Sequence, residues 1–481
     1  MSTGLTVSPR TLHITNFYHS ASGGVATFYR ALMAEGNRQG RVVRLVVPSD
    51  ATRVEDVGRF GRVYYVRAPR APFFDRRYRM LWPHTYACPY QSELRQILIH
   101  ERPDLVEVCD KYALAWLPSV LRRNWIRGAG RPVLVGMSAE RMDDNVRAFV
   151  GGSRLAGAFA RWYMRRVYVP RFDWHIANSS YTAEEILTAG PARFRDRVFV
   201  CPMGVDSEVF AAAAPDAIIR GYLTSIFRGA TRPKLLVYGG RLSPEKNLGL
   251  LFDTLEALPD GQDSQFRLLI AGSGPLDSKL AEESQRRLGG RVAFLGQINH
   301  RKELASLYAN ADVFVHPNPR EPFGIGLLEA MAAGLPIVAP ARGGVLSYLN
   351  AGNALLAEPD GRSFATAIRE VVSDPKLRVL RVAQARKTAE EHRWDRVAPR
   401  LFALYDHFVI HRSGRQDDST GRDGRTAFFP GMVSDVRRRT CRTTTARLAL
   451  FESGTVSAET PTGGFPGMDD PASRGFGPST G

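Results

Sequence analysis

Glu321 and Glu329 bracket the run Glu321-Pro322-Phe323-Gly324-Ile325-Gly326-Leu327-Leu328-Glu329. Two acids around a Gly-rich turn are less common than the single capping acid that such turns usually carry. The apolar run from Ala311 to His316 reads as a buried strand and the run after Gly326 as a helix, so Glu321 falls in a strand-to-helix loop and Glu329 on the first turns of the helix. A loop feeding a helix N-terminus collects unmet backbone N–H groups and the positive end of the helix dipole. Small residues such as Gly324 and Gly326 let a polyhydroxylated or phosphorylated ligand approach that backbone.

A second cluster lies upstream. Lys234 to Val237 form an apolar strand that ends in Tyr238-Gly239-Gly240-Arg241-Leu242-Ser243-Pro244-Glu245-Lys246-Asn247, with a helical pattern from Leu248. Arg241 and Lys246 then sit at the carboxyl end of a parallel strand, where open α/β sheets bind ligands. Alone the pair reads equally as a solvated turn; beside the two glutamates, a guanidinium and an ammonium suit a diphosphate. Near the amino terminus, Phe17 to Val25 joins an opening strand to its helix, and Gly23 and Gly24 permit backbone N–H groups to face a phosphate. His19 in that loop is a candidate base, although a loop histidine is more commonly a surface or packing residue.

On these residues the chain resembles the retaining glycosyltransferases of family 4, which have the two-domain GT-B fold. The resemblance rests on Gly239 to Asn247, the turn Gly272-Ser273-Gly274-Pro275, the Glu-x7-Glu run and the Gly343-Gly344 turn. Asn16 to Val25, Ala177-Asn178-Ser179 and Pro202-Met203-Gly204-Val205-Asp206 match more weakly. It implies that Glu321 binds sugar hydroxyls with help from the N–H groups of Phe323, Gly324 and Ile325. It also implies that Glu329 accepts from ribose hydroxyls, that Gly24 and its neighbour serve the donor diphosphate, with Gly240 on the same side, and that anomeric configuration is retained. Arg241 and Lys246 would stabilise the departing phosphate, so that neither a carboxylate nucleophile nor a metal-bound DxD site is required. The donor is expected to be a GDP- or UDP-hexose, with no bound cofactor.

The chain departs from the family pattern at Ala139. Many relatives carry a histidine there, in contact with the donor sugar; here the run is Gly136-Met137-Ser138-Ala139-Glu140-Arg141-Met142-Asp143-Asp144. Glu140, Arg141 and Asp143 are the candidates to replace it as sugar or acceptor contacts. Ser347 likewise stands where a glutamate commonly follows the Gly343-Gly344 turn.

These residues need a scaffold of alternating elements, and 481 residues are too many for one ordinary core. Short β-type runs begin at Thr11, Arg41, Val63, Leu105, Val133, His175 and Val198, and again at Leu235, Arg267, Val292, Val313, Pro336 and Ala354, separated by helix-compatible stretches. This predicts an α/β protein of two doubly wound, Rossmann-like domains with parallel sheets and a cleft between them. The expected division is 1–205 for the acceptor side and 206–392 for the nucleotide-sugar side. Pro202 to Phe210 is the crossover, and a helix over 393–411 returns to the first domain. Residues 412–481, rich in Ser, Thr, Gly, Pro and Arg, are expected to be disordered, with Arg437 to Phe451 able to become helical on a partner.

Of the net charge of +17, nearly all lies before residue 412. Two basic, aromatic segments concentrate it, 67–90 and 153–171, the latter suiting an amphipathic helix on anionic lipid as well as an ordinary helix with a solvated arginine face. No nucleic-acid module accompanies them, so no nucleic-acid partner is expected. No apolar run reaches the ~18 residues needed to span a bilayer, there is no signal-peptide pattern, and Cys88, Cys109, Cys201 and Cys441 show no CxxC spacing. A cytoplasmic enzyme, peripheral on the inner face of the membrane, is expected. Its reaction would be hexosyl transfer to an envelope polysaccharide or glycolipid, by a mannosyltransferase or a glucosyltransferase. The alternatives are a non-transferring, epimerase-like GT-B enzyme, a catalytically silent membrane-associated protein and a pyridoxal-phosphate phosphorylase.

Overall fold

The computed structural model describes residues 8–18, 23–71, 78–88, 92–150, 154–230, 232–261 and 264–412. His19 and the 413–481 segment, with the expectations attached to them, lie outside the described residues, as do 72–77 and 89–91 of the first basic segment.

The first sheet contains β1 (Thr11–Thr15), β2 (Val43–Ser49), β3 (Arg53–Val57), β4 (Gly61–Arg67), β5 (Leu105–Cys109), β6 (Val133–Ser138), β7 (Trp174–Ala177) and β8 (Val198–Val200), in the order β3-β4-β2-β1-β5-β6-β7-β8. β1 and β5 are buried at every residue, as strands covered by helices on both faces must be. The pairs are parallel except β3, which runs antiparallel to β4. β3 is an exposed, charged edge strand whose Arg53, Glu55 and Asp56 discourage pairing with another chain.

The second sheet contains β9 (Lys234–Gly239), β10 (Asp260–Gly261), β11 (Ser264–Ala271), β12 (Val292–Gly296), β13 (Val313–Val315), β14 (Ile337–Pro340) and β15 (Leu355–Ala357). β11 pairs with β9, β9 with β13, β13 with β14 and β14 with β15, all parallel, and β12 pairs parallel with β11. The short β10 is antiparallel to β11. Strand order reverses at β9 and β13, so the loops after these two strands part and open a crevice at their carboxyl ends. Each sheet is the core of one Rossmann-like domain.

The helices that matter for the cleft are α1 (Gly24–Gln39), α2 (Met142–Val150), α3 (Arg154–Tyr163), α4 (Ser180–Ala189), α5 (Arg301–Ala309), α6 (Ile325–Ala333) and α7 (Trp394–Ile410). α1 buries Phe28, Tyr29, Leu32 and Met33, the i, i+4 pairs of one face. α6 is buried at Ile325, Leu327, Leu328 and Ala330 to Ala333, apolar on nearly every side. α7 returns to the first sheet: Phe408 stacks on Trp174 at 4.9 Å between centroids, and Asp406 pairs with Arg41. Tyr405 donates to Glu107 in the middle of β5, a buried carboxylate that also meets His13 Nδ1 and the Tyr29 hydroxyl, each at 3.0 Å. The outgoing and returning crossings lie side by side, with Val205 N–H donating to the His392 carbonyl at 2.8 Å. Among the described residues no helix is long and apolar enough to cross a membrane.

Candidate active site

The Gly239–Asn247 loop owes its position to a close backbone approach. Gly240 N–H donates to Ala271 O at 2.9 Å, and Leu242 N–H to Ser273 O at 3.1 Å. A Cβ on Gly272 would overlap the Gly240 carbonyl, so the glycine of the second turn is what lets the first lie flat on it. This aims Arg241 and the 3₁₀ turn Pro244–Lys246 at the crevice. The Glu321 loop is held in a similar way: Gly344 N–H donates to the Glu321 carbonyl at 2.7 Å, and the Tyr348 hydroxyl donates to the carbonyls of Phe323 and Gly324. Gly324 opens α6 at φ +85°, a left-handed position that disfavours any side chain.

Lys246 Nζ lies 3.1 Å and 2.8 Å from the two oxygens of Glu321, and Asn318 Nδ2 donates to Oε2 at 3.0 Å. Burial alone would raise the Glu321 carboxyl, but Lys246, His316 and these hydrogen bonds hold it down at about 2, so it is a fixed anion. His316, 3.5 Å from Glu321, is kept neutral by burial, its titration lowered to about 4. Arg241 donates to Glu245 at 2.6 Å and to the hydroxyl of Tyr78, which comes from the first domain. Glu329 pairs with Arg301 Nη2 at 3.0 Å. Burial pushes its carboxyl up to about 7, with Arg301 opposing and Asp206 reinforcing the shift.

All of these groups except Asp206 line one cleft of about 440 Å³ between the domains. Gly23, Gly24, Glu140, Arg141, Gly240, Phe323, Gly324 and Ile325 line it as well, Gly24 lying against Ile325 across the gap. Asp143 does not line it. The Arg141 guanidinium holds Asp143 at 2.7 Å beside a separate cavity of about 240 Å³, and its other donors go to the Tyr181 carbonyl and Glu184. Glu140 lines the cleft, its Oε2 accepting from Asn145 at 2.8 Å, while its Oε1 is buried away from solvent with no hydrogen-bond partner among the described residues.

Sequence reasoning missed Tyr78, Arg301, Asn318 and His316. The last two lie in the run His316-Pro317-Asn318 just before Glu321 and were within reach of a closer look at that loop. Tyr78 was counted with the basic aromatic segment 67–90, but its described aromatic residues turn inward: Tyr78 is buried against Met80 and Ala113, and Trp82 packs on the same cluster. The domains also touch at Ser179, whose Oγ donates to the Pro322 carbonyl at 2.6 Å, and where Arg320 lies 3.7 Å from Asp144.

Two Rossmann-like domains facing a cleft, with cations and buried carboxylates at the switch point of the second, define a GT-B glycosyltransferase. The chain belongs to glycosyltransferase family 4. The family model "Glycosyltransferase Family 4" matches residues 22–209, and "Glycosyl transferases group 1" matches 226–388. The chain is 31% identical over 415 residues to a GDP-mannose-dependent alpha-(1-6)-phosphatidylinositol dimannoside mannosyltransferase of Mycobacterium tuberculosis, covering 85% of this chain and 100% of that one. Among solved structures, sucrose-phosphate synthase from Thermosynechococcus elongatus superimposes with a TM-score of 0.63 at 20% identity, over 84% of this chain and 100% of that one. Anabaena Alr3699/HepE in complex with UDP-glucose superimposes with a TM-score of 0.58 at 20% identity, over 84% of this chain and 98% of that one. The protein is thus a hexosyltransferase that draws on a nucleotide-sugar donor.

Proposed function

We propose that the enzyme moves a hexose, with retention of configuration, from a nucleoside diphosphate to a lipid-linked or polysaccharide acceptor of the cell envelope. GDP-mannose is the first donor to test, because the Mycobacterium tuberculosis relative is named for it. The observation that carries the reading is the meeting of Lys246, Arg241, Glu321 and Glu329 on one cleft wall.

In this reading Arg241 and Lys246 neutralise the diphosphate as the bond from the anomeric carbon to its oxygen breaks. Glu321 and the N–H groups of Phe323, Gly324 and Ile325 grip sugar hydroxyls, Glu329 grips the ribose, and the first turn of α1, opened by Gly23 and Gly24, faces the diphosphate. The acceptor hydroxyl attacks the same face that the phosphate leaves, and the leaving oxygen takes its proton. Lys246 spans the sugar-binding carboxylate and the leaving group, which ties recognition of the hexose to stabilisation of charge. Residues 1–205 with 393–411, and 206–392, serve as the acceptor and donor sides.

The acceptor's surface is met by α3. Its solvent face carries Leu155, Phe159 and Trp162, exposed by 83%, 53% and 55%, with Arg154, Arg161, Arg165 and Arg166 beside them. A helix whose apolar stripe faces out, flanked by arginines, suits the interface of an anionic membrane on the cytoplasmic side.

A thermal-shift panel of UDP-, GDP- and ADP-hexoses tests the donor, since a ligand that favours the folded state raises the melting point. Lys246→Ala should lower turnover of the winning donor by roughly 10²–10³-fold. Near-normal transfer by this variant would exclude the assigned role.

A further inference from the structure

Arg241 is held from both sides of the cleft. Its Nη2 donates to Glu245 Oε1 at 2.6 Å on the neighbouring 3₁₀ turn, and its Nη1 donates to the Tyr78 hydroxyl of the first domain. Ser243 Oγ donates to the same Glu245 oxygen at 2.5 Å and so fixes the carboxylate in turn. The planar guanidinium carries further N–H donors. Those have no hydrogen-bond partner among the described residues, and the side chain, 35% exposed, lines the cleft.

The first-domain side of this hold is rigid. Tyr78 is buried with Met80 and Ala113, and the Phe17 ring lies edge-on to it at 6.4 Å between centroids. The Tyr78 carbonyl accepts from Ala71 N–H at 2.9 Å, and Met80 N–H donates to the Pro69 carbonyl at 3.0 Å. Leu81 N–H then donates to Asn16 Oδ1 and Asn16 Nδ2 to Asp110 Oδ2, each at 2.9 Å, which anchors the segment just past β1 and β5. The guanidinium carbon is 5.8 Å from the centroid of the Tyr78 ring, at the outer limit of a cation–π contact, so the hydroxyl supplies the principal hold. A neutral oxygen orients the cation without cancelling its charge, as a second carboxylate would, and a guanidinium already oriented loses less side-chain entropy when a phosphate arrives.

We propose that Tyr78 is a positioning residue for the leaving group: its hydroxyl holds Arg241 so that the remaining guanidinium donors meet the terminal phosphate of the nucleoside diphosphate, the one that carries the hexose. This rests on the donor reading above and adds to it a dependence on both domains, since the phosphate-binding cation of the second is oriented by the first.

The test is calorimetric titration of the full chain with the nucleoside diphosphate and the nucleoside monophosphate of the base favoured in the donor panel. Wild type, Tyr78→Phe, Arg241→Gln and the double variant are compared. The readout is the ratio of diphosphate to monophosphate affinity, which isolates the terminal phosphate and cancels contributions from the base, the ribose and any general loosening of the cleft. Tyr78→Phe keeps the ring and its packing, so the melting temperature should be little changed, while the ratio should fall about five- to thirtyfold. Arg241→Gln should lower the ratio at least as far. Adding Tyr78→Phe to it should change the ratio by less than about twofold, because the hydroxyl acts through the guanidinium. A ratio kept in Tyr78→Phe, or an equal fall with and without Arg241, overturns the positioning role alone. A ratio kept in Arg241→Gln overturns the diphosphate role of Arg241 and the donor reading with it.

Discussion

Lys246 Nζ lies within hydrogen-bond distance of both carboxylate oxygens of Glu321, joining the loop after β9 to the loop after β13 across the switch point of the second sheet. Neither loop is therefore positioned independently. The cation proposed to meet a phosphate and the anion proposed to meet a sugar hydroxyl are a single preassembled unit.

Breaking that unit should cost stability with a definite pH signature. The Glu321 carboxyl, held at about 2 in the folded protein, contributes stability that is fully present above its unfolded value and lost as pH falls toward about 2. Replacing Lys246 by Met should lower unfolding free energy by roughly 3 kcal/mol or more at pH 7, since it strands a buried charge. Denaturant titrations at several pH values should show the gap to wild type narrowing between pH ~4.3 and 2. A gap independent of pH would assign the cost to packing.

Glu329 is shifted the other way, raised rather than lowered, so its effect falls near neutral pH. Its carboxyl titrates at about 7, and only the ionised form accepts from two ribose hydroxyls. Donor affinity should weaken as pH falls below about 7, toward tenfold per unit, and Glu329→Gln should bind weakly at every pH. Arg301→Ala removes the cation that opposes the shift, so its binding curve should move to higher pH. Calorimetric titration with the donor checks both; an unmoved curve in Arg301→Ala would detach the carboxylate from the ribose.

The exposed stripe on α3 should govern lipid association. Changing Leu155, Phe159 and Trp162 together to Ser should lower partitioning onto phosphatidylglycerol vesicles by about tenfold or more. The melting temperature should be little changed, because all three side chains are exposed. Vesicle sedimentation at low and high salt separates this apolar share from that of Arg161, Arg165 and Arg166. Equal partitioning of wild type and variant would remove α3 as the contact.

Much of the scaffold was legible because buried parallel strands read as short apolar runs, as in Leu105–Cys109 and Val313–Val315. β3 was not. Its sequence Arg53-Val54-Glu55-Asp56-Val57 has no buried face to pattern and is held by the ladder to β4, by surface pairs such as Arg62–Asp56, and by Asn37 of α1 donating to the Val57 carbonyl. Within the cleft, Arg241, Lys246, Glu321 and Glu329 were legible because the residue types and the local turn chemistry sit together in the chain. Tyr78 was not, since its partner Arg241 lies 163 residues away and only the facing of the two domains brings them together. Asp143 illustrates the converse: adjacency to Ala139 suggested a ligand contact, but the rotation of successive residues at the start of α2 turns it to Arg141.

The carboxylate of Glu107 is buried at the centre of β5, yet one of its hydroxyl partners, Tyr405, is 298 residues further along. During synthesis the amino-terminal lobe thus emerges with one oxygen of a buried acid still lacking its partner, although His13 and Tyr29 meet the other, and with an uncovered apolar flank; both close only after the second lobe has left the ribosome. Expression of the two lobes as separate polypeptides should give an insoluble first half unless the terminal helix is supplied to it, either as a peptide or by circular permutation.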